Sequence, residues 1–142
     1  MSQLCTFEVD GVLFGIAATD VQELARSQPI TRVPLAHRAI AGLINLRGQI
    51  VTAIDLRARL DMPRRADGAR AFHVVARAAD GIVSLVVDAI GDVIEPPVEL
   101  RDTVPATAPA ALREVALAVY MLPDRLLFPL SLDRVVSLGD RS

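Results

Sequence analysis

The sequence predicts a mainly β fold made of two similar small units with a few short helices. Short apolar runs are broken by turn residues at close spacing, and the second half of the chain repeats features of the first. Only 4% of the residues are aromatic and none is Trp, so the core must be aliphatic. Strands spaced in this way are typical of barrels rather than of a parallel sheet with crossover helices.

The first predicted element is a hairpin over residues 5–17. In CTFEV, apolar and polar residues alternate, the pair Asp10-Gly11 is a strong two-residue turn, and VLFGIA forms the returning strand. The chain has 142 residues, which is the length of about one domain and enough to bury a core.

The next segments are predicted to be short turns and extended chain. In TDVQEL (19–24), a capped turn is expected to direct Val21 and Leu24 inward. The two prolines of SQPITRVP (27–34) favour an extended conformation, and LAHRAIAG (35–42) is expected to form one or two helical turns that end at its glycine.

A second hairpin is predicted in INLRGQIVTAIDL (44–56). Its two apolar strands meet at Arg47-Gly48, and Asp55 is placed to cap a short helix in DLRARL. The following DMPRRADGAR (61–70) is the most polar and loop-like part of the chain.

The second half repeats the first in the same order. GVLFGIA (11–17) resembles GIVSLVV (81–87), and TAIDLRARL (52–60) resembles FPLSLDRVV (128–136). The offset between the copies is larger for the second pair of segments than for the first, as small loop insertions would produce. Between these segments, Val21-Gln22-Glu23 is matched with Val93-Ile94-Glu95.

The repeat predicts one domain, 1–142, with two subdomains. We expect subdomain 1 at about 5–62, a linker at about 61–70 and subdomain 2 at about 71–138. A half of about 65 residues buries little core by itself, so the two units are expected to pack together and to leave a groove between them.

The composition excludes several classes of function. All 15 basic residues are Arg, so a Walker A loop and a Schiff-base lysine are both excluded. The net charge is -2 and charges of both signs are mixed along the chain, which gives a nucleic-acid-binding face little support. The chain has a single cysteine and no apolar run long enough to span a bilayer, which predicts a cytoplasmic protein that does not insert into a membrane.

No catalytic or metal-binding constellation is found, and no cofactor is expected. Asp55 ends an apolar strand as a phospho-accepting aspartate does, but that chemistry also needs acidic neighbours and a Lys. His37 and His73 lack partners at metal-ligand spacing, and the proline and glycine around His37 do not suit the long helix of a phosphorelay histidine. We therefore predict that the protein is not an enzyme.

After these exclusions, Arg47 is the remaining candidate for a functional residue. It is either a solvated turn residue or an anchor at a protein interface, where a planar guanidinium makes several directed hydrogen bonds. Glu23 has the same two interpretations. Gly48 either supplies a positive φ or lets the backbone of a partner approach closely. No partner for Arg47 is evident within the chain.

Three segments resemble the CheW family of chemotaxis coupling proteins. AGLINLRGQIVTAIDLRARL (41–60) resembles the family signature around N-L-R-G, and VQEL (21–24) is similar to its V-x-E-I step. SLVVDAIGDVIEPP (84–97) resembles its second-half element, so the resemblance spans about residues 5–136.

The resemblance implies two five-stranded SH3-like β-barrels packed around a shared hydrophobic core. It also implies a non-catalytic adaptor that bridges the signalling tips of chemoreceptors to the regulatory domain of a CheA-type histidine kinase. In such an arrangement, the helical receptor tip lies in the groove between the barrels.

The resemblance assigns receptor binding to individual positions, whereas the kinase contacts do not map onto single residues. The receptor-binding positions are Val21, Glu23, Arg47, Gly48, Val87 and Val93.

Three positions depart from the family pattern. Thr52 stands where Pro is usual, Ser84 where Gly is usual, and Ser131 where Asp is usual, the last of which is expected to weaken a helix cap. Two alternatives stay open: an adaptor of a non-flagellar array, and a free-standing SH3-like module that binds a peptide or a nucleic acid. The scarcity of aromatic residues for base stacking argues against the nucleic acid.

Overall fold

The structure is a computed structural model that describes residues 3–138. Within these residues, the chain forms eleven strands, three short helices and two 3-10 turns. The strands are β1 (Leu4–Val9), β2 (Val12–Ala17), β3 (Val21–Arg26), β4 (Ile40–Leu46), β5 (Gln49–Asp55), β6 (Phe72–Ala78), β7 (Gly81–Val87), β8 (Ala89–Ile94), β9 (Arg101–Asp102), β10 (Val119–Met121) and β11 (Leu126–Pro129). The helices are α1 (Leu56–Arg59), α2 (Ala110–Val115) and α3 (Leu132–Val136), and the 3-10 turns are Ala18–Asp20 and Val98–Leu100.

The strands form two sheets, which confirms the predicted mainly β fold. One sheet has six strands in the order β8-β1-β2-β11-β10-β9, and the other has five in the order β3-β6-β7-β5-β4. Both sheets close on themselves. After β3, Thr31 exchanges two 2.8 Å backbone hydrogen bonds with Leu43 of β4, and after β8, strand β9 pairs with β10. This closure is consistent with two SH3-like barrels.

The two sheets exchange their first hairpins. Hairpin β1–β2 of the first half joins the second-half strands β8 and β11, and hairpin β6–β7 joins the first-half strands β3 and β5. The sheets therefore do not follow the expected division into residues 5–62 and 71–138. The repeat identifies which segments correspond, but both copies carry similar apolar strands, so the pattern cannot tell with which copy each hairpin pairs.

The sheet registers also correct the predicted match between β3 and β8. Leu24 lies opposite Val74 of β6, and Val93 lies opposite Cys5 of β1. Cys5 and Val74 each lie four positions before the last paired residue of their strand, ahead of a two-residue turn, so they are equivalent. Val93 therefore corresponds to Leu24 rather than to Val21. Each of the two pairings contains an irregularity close to these residues, and a local shift of this kind is invisible to sequence matching.

The largest hydrophobic cluster lies between the sheets, as the resemblance implied. Its aromatic residues are close together, with ring centroids 6.3 Å apart for Phe7 and Phe14 and 6.1 Å apart for Phe14 and Phe128. Each sheet also surrounds a smaller cluster of its own. These smaller clusters contain Leu4, Leu13, Tyr120 and Leu127 in the six-stranded sheet, and Ile44, Val51, Ala53 and Val86 in the five-stranded sheet.

The helix predicted over residues 35–42 is wrong. Strand β4 begins at Ile40, because pairing with β5 and with Thr31 outweighs the local helical pattern. Gly42 has φ +148°, and a Cβ built on it would lie 2.2 Å from the Thr31 carbonyl oxygen. The glycine thus permits the close backbone approach that closes this sheet, rather than ending a helix.

The predicted turn over residues 19–24 is only partly right. A 3-10 turn covers Ala18–Asp20, but no side chain caps it and Val21 already begins strand β3. Val21 packs against the shared core as expected, whereas Leu24 stays half-exposed.

The two predicted helix caps are present. Asp55 Oδ1 accepts a 3.0 Å hydrogen bond from the Arg57 backbone N–H at the start of α1. At the corresponding start of α3, Ser131 Oγ accepts from the Arg134 N–H at 3.3 Å. Within residues 3–138, no helix is long and apolar enough to cross a membrane.

Candidate functional site

The turn between β4 and β5 has a backbone that does not favour arginine. Leu46 and Gln49 are paired, and both residues between them have positive φ, +55° for Arg47 and +81° for Gly48. This is the pattern of a type I′ turn, in which Asn and Gly are preferred. Asn45 Oδ1 accepts a 3.0 Å hydrogen bond from the Gly48 N–H and stabilises the turn. A left-handed conformation costs a side chain such as Arg about 1–2 kcal/mol, so the backbone does not explain Arg47.

The side chain of Arg47 has a partner inside the chain. Arg47 Nε donates to Glu23 Oε1 at 3.1 Å. Arg47 lies at the end of edge strand β4 and Glu23 lies on edge strand β3, so the ion pair spans the line at which the five-stranded sheet closes. The prediction that Arg47 has no partner in its own chain is therefore wrong. The two residues are far apart in the sequence and meet only when the barrel closes.

This ion pair leaves most of the guanidinium available. The side chain of Arg47 is 79% exposed and that of Glu23 is 23% exposed. In the part of the chain that the structure describes, only Nε of Arg47 is hydrogen-bonded, which leaves the four N–H groups of the two terminal nitrogens facing solvent. Glu23 therefore fixes the stem of the side chain while its donors remain free for another molecule.

The structure brings only some of the predicted receptor-binding residues together. Glu23, Arg47 and Gly48 share one end of the five-stranded sheet, and Val21 begins strand β3, on which Glu23 lies. Val93 is 54% exposed but belongs to the six-stranded sheet.

Val87 has to be reassigned. It is fully buried in the shared core opposite Phe72 of β6. A side chain without exposed surface cannot contact a partner, so the structure places Val87 in the core. Residues 82–87 read IVSLVV, and a run that is apolar except for one serine gives no period-2 signal to separate a surface residue from a core residue.

Ile50 is a surface residue that the sequence analysis missed. It lies on β5 opposite Asn45 and is 62% exposed. It therefore adds an aliphatic surface beside the Arg47-Gly48 turn. Ile50 precedes Val51, which is buried, and two adjacent β-branched residues do not indicate which of them faces inward.

A second cluster that the sequence did not predict surrounds Asp88. Its carboxylate accepts from Arg57 Nη2 at 2.7 Å and from Arg65 Nε at 2.9 Å, and the Asp10 N–H donates to it at 2.6 Å. Burial alone would raise the pKa of Asp88, but these hydrogen bonds outweigh it and lower the pKa to about 2. The cluster joins the β1–β2 turn, α1, the loop 61–70 and the end of β7, so its role is to hold the two sheets together.

Both histidines have a hydrogen-bond partner within the chain. His73 is buried, with Nδ1 2.7 Å from Ser84 Oγ, and burial together with the nearby Arg65 charge lowers its pKa. Ser84, which departs from the family pattern, thus has a buried polar partner. His37 Nδ1 accepts from the Ala39 N–H at 3.0 Å within a turn. Among residues 3–138, no cluster of His, Cys, Asp or Glu is placed to hold a metal ion.

Comparisons with known proteins agree with this architecture. A family model described as a CheW-like domain matches residues 3–139. The chemotaxis protein CheW of Rhizobium meliloti is 30% identical over 141 residues, covering 98% of this chain and 90% of that protein. A probable chemotaxis protein CheW of Rhizobium etli is 28% identical over 135 residues, covering 95% and 87%. The fold matches that of the scaffolding protein TtCheW from Thermoanaerobacter tengcongensis, with a TM-score of 0.85 at 22% identity over 99% of this chain and 95% of that one.

Proposed function

Because the chain belongs to the family of CheW-like domains, we propose that it is a non-enzymatic adaptor that couples chemoreceptors to a CheA-type histidine kinase. The observation that carries the proposal is the arginine at the β4–β5 turn. Its backbone conformation is unfavourable for Arg, its stem is fixed by Glu23, and its remaining donors face solvent. Such an arrangement suits a preorganised contact with another protein.

The receptor contact is assigned to this end of the five-stranded sheet. Arg47 supplies charged donors for carboxylates or carbonyl oxygens on a helical receptor tip. Ile50 supplies adjacent apolar surface, and Gly48 allows close approach of the partner. An amphipathic helix that lays its apolar face against a hydrophobic surface of its partner is a common mode of recognition.

An adaptor also needs a second surface for the kinase. The β10–β11 hairpin corresponds by the repeat to the β4–β5 hairpin, and its cross-strand pair Met121 and Leu126 is half-exposed. This pair lies at the positions that Asn45 and Ile50 occupy in the first hairpin. We assign it to the kinase's regulatory domain, so that the two related hairpins serve two different partners.

Signalling through such an adaptor requires differential binding. A linker with equal affinity for both states of the receptor or the kinase would shift neither equilibrium. The close-packed hydrophobic core shared by the two sheets is suited to transmit a change at one hairpin to the other. The adaptor would be recruited to receptor arrays through these contacts.

The test is reconstitution of the chain with a receptor cytoplasmic fragment and the kinase from the same organism. Arg47→Ala should weaken receptor binding by about 1–3 kcal/mol and leave kinase binding unchanged. Arg26→Ala is the matched control, because Arg26 is an exposed arginine on the same edge strand as Glu23. Equal receptor binding by Arg47→Ala and the original chain would contradict the assignment of the site, and binding of neither partner by the original chain would contradict the adaptor role.

A further inference from the structure

A groove of about 590 Å³ lies on a different part of the five-stranded sheet from the Arg47 turn. It is bounded by the segment before β4, by α1 and by the loop 61–70. Neither Glu23 nor Arg47 lines it. The charged residues that line it are Arg32, Arg38, Arg57, Arg64, Arg65 and Asp55.

The two arginines nearest the core are already neutralised. The side chains of Arg57 and Arg65 are 16% and 14% exposed, and both are paired with Asp88. Arg65 also lies 3.9 Å from Asp55. These two residues shape the inner wall of the groove and are not available to a ligand without breaking the Asp88 cluster.

The three arginines at the rim are available. Arg38 pairs with Asp61, but both side chains are more than half exposed, and an ion pair of that kind contributes little stability and exchanges readily for another partner. The nearest carboxylate to Arg64 is 4.0 Å away on the fully exposed Asp67. For Arg32, no partner exists among the residues that the structure describes. The rim therefore offers three guanidinium groups that are weakly paired or unpaired.

The floor of the groove is aliphatic. It includes Ile40, Met62 and Val86, with several alanines and no aromatic ring. Nucleic-acid bases bind through stacking on aromatic side chains, so this floor does not suit them. It suits aliphatic side chains instead.

The arginines are not a consequence of the fold, because the repeat supplies a second groove for comparison. That groove has about 550 Å³ and is lined by the corresponding start of α3, where Ser131 replaces Asp55 and Asp133 replaces Arg57. Its charges are balanced, with two acids and two arginines, Asp20, Asp133, Arg77 and Arg101. Of these two grooves in the described part of the chain, only the one beside α1 has an arginine rim.

We propose that the arginine-rimmed groove beside α1 is a docking surface for an acidic protein segment that also carries aliphatic side chains. The acidic residues would pair with Arg32, Arg38 and Arg64, and the aliphatic side chains would pack on the floor formed by Ile40 and Met62. This contact goes beyond the proposed adaptor function and is independent of the Arg47 site.

The experiment uses the full chain and a fluorescein-labelled dodecapeptide of alternating Glu and Leu. A Lys-Leu dodecapeptide and an oligo-dT of the same length are the comparison probes, and fluorescence anisotropy measures binding at low and high salt. The triple variant Arg32→Ala/Arg38→Ala/Arg64→Ala should bind the acidic peptide about tenfold or more weakly. Binding by the original chain should also weaken with salt, because exposed charges are screened.

Two variants serve as controls. Arg77→Ala removes an exposed arginine from the second groove, and Arg26→Ala removes an exposed arginine from strand β3 outside either groove, so neither should change peptide binding. Amide NMR shifts on binding should cluster at Ala41, Ala58 and Met62. Equal binding by the triple variant, shifts centred on Leu117 in the second groove, tighter binding of oligo-dT, or no binding of the acidic peptide would overturn the inference. None of these outcomes bears on the receptor test with Arg47→Ala.

Discussion

Arg47 Nε lies 3.1 Å from Glu23 Oε1, across the line at which edge strands β3 and β4 close the five-stranded sheet. The two residues belong to separate sequence motifs that are assigned to the same interface. Their contact explains how one exposed side chain is held in a defined orientation. It also means that the interface and the closure of the barrel share a residue pair, so stability and binding have to be measured separately.

The first prediction separates these two roles at the turn itself. Arg47→Asn relieves the unfavourable positive φ but removes the ion pair with Glu23. Each effect is worth about 1 kcal/mol at an exposed site and the two oppose each other, so the free energy of unfolding should change by less than about 1 kcal/mol. Receptor binding should nevertheless weaken by about 1–3 kcal/mol, as in Arg47→Ala. Urea denaturation measures the first quantity and a receptor-fragment binding assay the second.

A matched variant makes this prediction sharper. Arg47→Val places a β-branched residue at φ +55°, where such residues are strongly disfavoured, and should destabilise the protein more than Arg47→Asn does. If Arg47→Asn lowered the free energy of unfolding by more than about 2 kcal/mol, the ion pair with Glu23 would be a structural requirement rather than a means of orienting the side chain.

The second prediction concerns the closure of the five-stranded sheet. Gly42→Ala would place a Cβ 2.2 Å from the Thr31 carbonyl oxygen at φ +148°, so Thr31 would have to separate from Leu43. We expect a loss of at least about 2 kcal/mol in the free energy of unfolding. The control is Gly68→Ala, because Gly68 also has a positive φ but has open space around it. This control should lose only about 1 kcal/mol in the free energy of unfolding. Equal losses in the two variants would show that the close approach is not what requires Gly42.

The sequence was most informative where a structural feature depends on neighbouring residues. The Asp10-Gly11 turn, the Arg47-Gly48 turn and the Asp55 cap all depend on contacts within a few positions and were predicted correctly. The correspondence of the two halves was also readable, because each half repeats the same apolar pattern.

The features that the sequence did not reveal depend on the packing of distant segments. The hairpin exchange is set by the parallel pairs β2–β11 and β5–β7, for which similar apolar strands give no preference. The Arg47–Glu23 contact depends on barrel closure, and the burial of Val87 depends on the second sheet packing over it. Local pattern does not encode these relationships.

The third prediction concerns acid stability through Asp88. The pKa of Asp88 is lowered from 3.8 to about 2 in the folded protein, so its stabilising contribution is fully present above about pH 4 and is lost as the pH falls towards 2. The contribution is at most about 2 kcal/mol, and solvent screening reduces it. Asp88→Asn should lower stability at neutral pH and flatten its dependence on pH between about 4 and 2. Urea denaturation at a series of pH values measures both effects.

The control for Asp88 is an aspartate without a buried partner. Asp67 is fully exposed, and its nearest cation lies 4.0 Å away, so Asp67→Asn should leave the pH dependence of stability unchanged. If the stability of Asp88→Asn fell between about pH 4 and 2 as steeply as that of the original chain, the Arg57 and Arg65 contacts with Asp88 would not stabilise the fold.

The fourth prediction concerns a higher pH range and the buried His73. Burial and the charge of Arg65 lower the pKa of His73 in the folded state below its ordinary value of 6.5. The neutral form is therefore favoured by folding. Its contribution is complete above about pH 6.5 and decreases as the pH falls, because the unfolded chain then binds a proton that the folded chain resists.

The free energy of unfolding should therefore decrease as the pH is lowered from about 7.5 to 5. His73→Leu should remove that slope, whatever the stability of the variant at neutral pH. His37→Gln, a change in a partly exposed turn, should keep the slope. Persistence of the slope in His73→Leu would assign it to another group and would exclude the His73–Ser84 pair as its source.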